Sequence, residues 1–299
     1  MGLKYIVGVL VAILSGVLNN LGVLLQKKVV NDVPPAARDK GFMKRLVKNP
    51  LWLFGLFLQV GLGMAAFVGA QALIGPALVP GLMASGLIVL AIGSVKLMDE
   101  KLSLPEYAGI FLMVAGIALL GLSGMDIDIK VVEKSLESPA VVFRIGVFTA
   151  VMLVCFGAFH LISLKSSRKG IIMGFSNGFL FSLSNFWISP LTAIIAIVLT
   201  GKGNTTQEIL FVAACVILTG SNLVAFSHIQ VAFKYGQASN IIPVQQISVQ
   251  ITPVLVYFFV FSLTPPRTIS GVFIVTGALL IILAGFLLGR RQSELEKIH

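Results

Sequence analysis

Charge is what this 299-residue chain has least of. Asp, Glu, Lys and Arg make up 11 % of it, against about a quarter in soluble domains. Hydrophobic residues make up 57 % and mean hydropathy is +0.99. Such a chain cannot cover a water-facing surface of its size. That excludes a soluble globule, a disordered chain and a coiled coil, and leaves an integral membrane protein. Cysteine is scarce as well. Cys155 and Cys215 each lie inside an apolar run, so neither a disulfide framework nor a cysteine metal site can be built. Catalytic signatures are missing: there is no glycine-rich phosphate loop and no His-Glu metal motif. No polar stretch is long enough for an ATP-hydrolysing domain. The reading is not an enzyme, without a cofactor or a metal site, and any transport is gradient-driven or facilitative.

What is present is a series of apolar runs. A membrane helix needs about 20 mostly apolar residues to cross about 30 Å of hydrocarbon. By that ruler the chain has nine candidate spans, roughly 5–25, 51–74, 76–96, 104–122, 141–163, 171–199, 208–233, 238–262 and 269–289. Their interiors hold no Asp or Glu. The first is longer than the apolar core of a signal peptide and is read as a span. The sixth carries Pro190 and is read as one kinked or tilted helix, or as two short ones. Counting basic residues by alternate connectors places sixteen of the 22 Lys and Arg on one side. Basic residues gather on the cytoplasmic side, so the 27–48 connector and the carboxyl terminus are expected inside and the amino terminus outside, at the cell membrane. The net charge of +10 is thereby read as topology, not as affinity for nucleic acid.

The two ends of the chain echo each other. Gly8, Ala12, Gly16 and Asn20 are matched by Gly170, Gly174, Gly178 and Ser182 at a constant offset of 162. Ala66-Phe67 with Gln71 is matched by Ala225-Phe226 with Gln230, Pro80 by Pro243, and Pro105 through Phe111 by Pro266 through Phe273. Four spans match four spans in order, and an odd span between them turns the second set upside down. Inverted repeats of this kind are common in secondary transporters, with the cargo site near the midplane. The expected organisation is all-α: a first four-helix repeat over 1–122, an external linker and central helix over 123–169, an inverted second repeat over 170–290, and a cytoplasmic tail over 291–299. Gly8, Ala12, Gly16, Gly170, Gly174 and Gly178 are close-packing faces, since small residues let helices approach.

Polar side chains inside spans are costly and mark a pathway or glue helices together. The residues read as cargo-binding are Ser15, Asn19, Gln71, Asn177, Asn185, His228, Gln230, Gln246 and Gln250. Their chemistry is neutral donation and acceptance. A cavity so lined suits a zwitterion, a polyol, another polar metabolite or a weakly held cation. His228 could carry a coupling proton or simply bond a nearby carbonyl. Expected partners are membrane lipids and a small polar solute or cation, with a homodimer allowed and no nucleic acid. A non-transporting scaffold or lipid-handling protein is the reading from another class.

Gly63-Met64-Ala65-Ala66, the stretch Gly75-Pro-Ala-Leu-Val-Pro-Gly81 and Met98-Asp-Glu-Lys-Leu102 resemble the drug/metabolite transporter superfamily of EamA-like proteins and, within it, the NIPA-like branch of magnesium transporters. The resemblance covers nearly the whole chain and implies a transporter. In that branch an acidic residue occupies the second span where this chain has Met64. Magnesium is a hard cation that favours oxygen ligands, usually including one or two carboxylates. The resemblance therefore implies Mg²⁺ as an alternative cargo, with a polar solute as the first.

Overall fold

The computed structural model describes residues 3–34, 41–74, 79–83, 85–98, 102–124, 129–265 and 267–296. Every regular element among them is helical. The first span is α1 (Leu3–Asp32), followed by a short α2 (Phe42–Lys48). The second span is assembled from α3 (Pro50–Leu56), a π-helical stretch (Phe57–Gly63) and α4 (Met64–Ile74). Then come α5 (Val79–Met83), α6 (Gly86–Met98), α7 (Leu104–Leu122), α8 (Ile129–Ser135), α9 (Pro139–Lys165), α10 (Lys169–Leu199), α11 (Thr205–Ala232), α12 (Ala238–Leu255) with a π-helical end (Val256–Val260), and α13 (Thr268–Glu296).

Eight helices are long and apolar enough to cross a membrane. They correspond to eight of the nine runs read from the sequence. The exception is the third run, over 76–96, which is divided into α5 and α6. At 1.5 Å per residue the 13-residue α6 is about 20 Å long, short of the hydrocarbon thickness. Pro80 lies within α5, which ends at Met83, and α6 begins at Gly86. The sixth run is one helix, α10, with Pro190 inside it. Its 31 residues extend about 46 Å, so it tilts or reaches past the apolar layer.

Within the first half, α1 packs against the second span, α5 and α6; within the second, α10 packs against α11 and α12. The crossings are close because side chains are missing where the helices touch. A Cβ on Gly116 of α7 would lie 2.8 Å from the Gly277 carbonyl oxygen of α13, and one on Gly277 would lie 2.8 Å from that of Gly116. A Cβ on Gly174 would meet the Ile241 side chain at 2.9 Å, and one on Gly178 the Gln245 carbonyl at 2.5 Å. Gly16 lies directly against the Met83 backbone. Gly8, Ala12 and Gly170 are buried.

One apolar core is shared between the halves. It joins Leu24 of α1, Leu90 of α6, Met113 of α7, Ile229 of α11, Ile241 of α12 and Ile281 of α13. A second core ties α9 to α10 and α11 through Ile145, Phe148, Trp187 and Ala214. On the outside, Phe111, Phe143 and Phe259 are each more than 70 % exposed. Bare aromatics of that size face lipid, not water.

Candidate functional site

Three helix starts set the geometry at one membrane boundary. The Asn49 side chain accepts from the backbone N–H groups of Leu51 (2.9 Å) and Trp52 (3.2 Å) and starts α3 with Pro50 in its first turn. This cap fixes Trp52, whose side chain is 4 % exposed. Glu106 caps α7: its Oε2 accepts from the Ser103 N–H (2.6 Å) and Oγ (2.7 Å). At the start of α12 lies Asn240, whose Nδ2 donates to Glu106 Oε1 at 2.9 Å. Glu106 sits one turn inside α7, at the end of the span where the sequence places it, but it is fully buried and is part of the contact between α7 and α12.

At the same boundary α1, the second span and α11 meet in a chain of neutral side chains. The Trp52 indole N–H donates to Gln230 Oε1 (3.3 Å). Gln230 Nε2 donates to Gln26 Oε1 (2.6 Å), and Gln26 Nε2 donates to Gln59 Oε1 (2.7 Å). Gln26 and Gln230 are each 1 % exposed. Beside them the buried Lys27 ammonium donates to the carbonyl of Phe233, just past the end of α11, and lies 5.7 Å from the Phe233 ring centroid. Cations belong at a helix C-terminus, where unpaired carbonyls collect. The Lys234 ammonium stands 3.8 Å over the Phe42 ring of α2. All of these contacts except Gln26–Gln59, which lies within the first half, join the first half of the chain to the second.

A second polar group lies between α10 and α12. Asn177 Nδ2 donates to Gln245 Oε1 at 3.5 Å, and Asn177 Oδ1 is buried with no hydrogen-bond partner among the described residues. Asn177 is eight residues into α10 from Lys169, about 12 Å along the helix axis. Gln250 Nε2 donates to Gln246 Oε1 at 3.2 Å one turn along α12.

The residues read as cargo-binding thus fall into separate groups. Gln230 is in the inter-half relay, while Asn177, Gln246 and Gln250 lie on α10 and α12. Ser15 donates to the Gly63 carbonyl (2.8 Å) inside the first half. Asn19 is half-buried beside it, and Asn185 is exposed. The side chain of Gln71 lies outside the described residues, as do Asp99, Glu100 and Lys101. His228 Nε2 lies 3.0 Å from His160 Nδ1 of α9. Sequence reasoning passed over Gln59, Trp52, Lys27 and Asn240 as site residues. The available signal was their place: each sits within about three turns of a basic connector, in helices that meet there.

Among the described residues no three His, Cys, Asp or Glu side chains cluster to hold a metal ion. Two surface hollows are present, one lined by Lys130 to Val141 and one by Glu208 to Ile217. Neither includes an amide of the two groups above.

A family model for Magnesium transporter NIPA matches residues 3–294. The chain belongs to the NIPA family. This NIPA-family chain is also similar to a curated relative from Arabidopsis thaliana named as a probable magnesium transporter, NIPA9. The two are 23 % identical over 290 residues, covering 93 % of this chain and 80 % of that one. No solved structure matches the chain. NIPA proteins are membrane transporters of the drug/metabolite transporter superfamily, and this one is an integral membrane protein with eight helices long and apolar enough to span among the described residues.

Proposed function

We propose that this NIPA-family protein carries magnesium ions down a gradient, and that the ion keeps much of its water shell while neutral amides receive it. The observation that carries this reading is the relay Trp52–Gln230–Gln26–Gln59, which joins α3, α11, α1 and the second span with neutral groups only. Mg²⁺ dehydrates reluctantly. Amide oxygens can accept hydrogen bonds from its bound waters without stripping them. The one buried carboxylate described, on Glu106, already accepts three hydrogen bonds. Asn177 Oδ1, buried and without a partner, is the acceptor we assign to the cargo farther along the path.

In this reading the relay, Lys27 with Phe233, and Glu106 with Asn240 form a latch that closes one end of the path between the two halves. These halves are the four-helix repeats expected over 1–122 and 170–290, inverted about α9. The glycine faces of α1 and α10 let them rock. The basic connectors put the latch on the cytoplasmic side of the cell membrane, with the amino terminus outside. Pairing of two copies is left to the same preparations to test.

A second reading keeps the carrier and changes the cargo to a small polar metabolite. It is favoured by the absence of an acid in the second span, where Met64 is exposed. Purified protein in liposomes, loaded with a Mg²⁺ indicator and challenged with Mg²⁺ and a panel of polar solutes, separates the two. Mg²⁺ entry supports the first reading, and solute entry without Mg²⁺ entry the second. Folded protein that moves neither points to a scaffold.

A further inference from the structure

His160 and His228 are the only histidines in the chain apart from His299, and the fold brings them together from different helices. His160 is on α9, the helix that belongs to neither repeat, and His228 is on α11. Their facing nitrogens, Nδ1 of His160 and Nε2 of His228, are 3.0 Å apart, with ring centroids at 5.1 Å. We propose that this pair is a binding site for a divalent transition-metal ion of the imidazole-seeking class, Zn²⁺ or Cu²⁺.

The geometry is close to what such an ion needs. Metal–imidazole bonds of about 2.0–2.1 Å at a tetrahedral angle hold two nitrogens about 3.3 Å apart, so to admit the ion the rings open by about 0.3 Å and each takes the tautomer with its N–H on the outer nitrogen, freeing both facing nitrogens. The rings are already held. Phe156, one turn before His160, stacks on it with centroids at 5.9 Å and meets His228 edge-on at 5.3 Å. The Phe156 carbonyl in turn accepts from Ser176 Oγ of α10 (3.2 Å). His228 is 8 % exposed, and its other nitrogen, Nδ1, is buried with no partner among the described residues. A histidine kept only to glue helices would satisfy both nitrogens. Here the one hydrogen-bond contact it makes among the described residues is with a second imidazole.

Access comes from the end of α9. His160 is half-buried and five residues from Lys165, about 7–8 Å along the axis. Water at the headgroup level fills the remaining coordination positions. No third His, Cys, Asp or Glu joins the pair among the described residues, so the ion is held by two protein ligands. Imidazole selects Zn²⁺, Cu²⁺ or Ni²⁺ over Mg²⁺. The site is therefore distinct from the proposed magnesium path and does not rest on it. A bound ion would clamp α9 to the stretch of α11 that carries Gln230.

The test uses the full chain, purified through a tag without histidine. Calorimetry with ZnCl₂ should give one ion per chain, and H160Q and H228Q should each bind about tenfold more weakly or worse. H299Q should bind like the unaltered protein, and equimolar Mg²⁺ should not compete. Cu²⁺ in the unaltered protein should show an electron paramagnetic resonance spectrum with two imidazole nitrogens. That spectrum decides the matter even where a variant fails to fold. Absence of Zn²⁺ binding up to millimolar concentration, undiminished binding in either folded variant, or a Cu²⁺ spectrum without paired nitrogens would overturn the proposal.

Discussion

Gly116 of α7 and Gly277 of α13 face one another, each placed where a Cβ would come within 2.8 Å of the other's carbonyl oxygen. The two are 161 residues apart, within one residue of the spacing that relates the matching glycines of α1 and α10. A pair of equivalent positions in reciprocal contact is what a local two-fold relation between inverted repeats would produce.

Filling this contact should destabilise the fold. G116A and G277A each force backbones apart, which costs about 1–3 kcal/mol when a packed site is overfilled. G271A is the control, since a Cβ there meets nothing within 4 Å. Thermal unfolding in detergent should show lower midpoints for the first two and an unchanged or higher one for the third.

The relay should matter to stability and to transport differently. Q230L leaves the Trp52 indole N–H and the Gln26 Oε1 without their partners. Interhelical hydrogen bonds in membrane proteins are worth about 0.6–2 kcal/mol, so the midpoint should fall modestly. Liposome flux should change by far more than that loss of folded protein accounts for.

Glu106 gives a prediction of the opposite kind. E106A removes the cap on α7 and the acceptor for Asn240 together. Loss of a cap costs about 1 kcal/mol, and loss of the Asn240 bond about 0.5–1.5 kcal/mol more, since Asn240 Nδ2 keeps Gln237 Oε1 at 3.3 Å. E106Q keeps an oxygen for either partner but not for both with the same strength. Unfolding midpoints should therefore rank the unaltered protein above E106Q, and E106Q above E106A.

Much of this architecture is readable from the residues, because hydrocarbon imposes a simple rule. A helix crossing it must be long and apolar, and eight such helices stand where the apolar runs end and begin. The third run is described as two helices, α5 and α6: hydropathy counts apolar residues and is blind to whether the helix through them is continuous. Polar contacts were legible where one helix face carried both partners, as with Gln246 and Gln250, four apart on α12. They were not legible where partners come from distant helices. Nothing about His160 alone announces His228, 68 residues away. Glu106, at the end of its span in the sequence, becomes fully buried only when α12 closes over it.

The most direct test concerns the latch between the halves. In a background where Cys155 and Cys215 are replaced, Gln26 and Gln230 are changed to cysteine and joined with a short bis-methanethiosulfonate, which forms a disulfide with each thiol and releases methanesulfinate. Mg²⁺ flux into liposomes is measured before joining, after it, and after release of a reducible linker. The account predicts flux that stops when the pair is joined and returns when it is released. Full cross-linking with undiminished flux would contradict it.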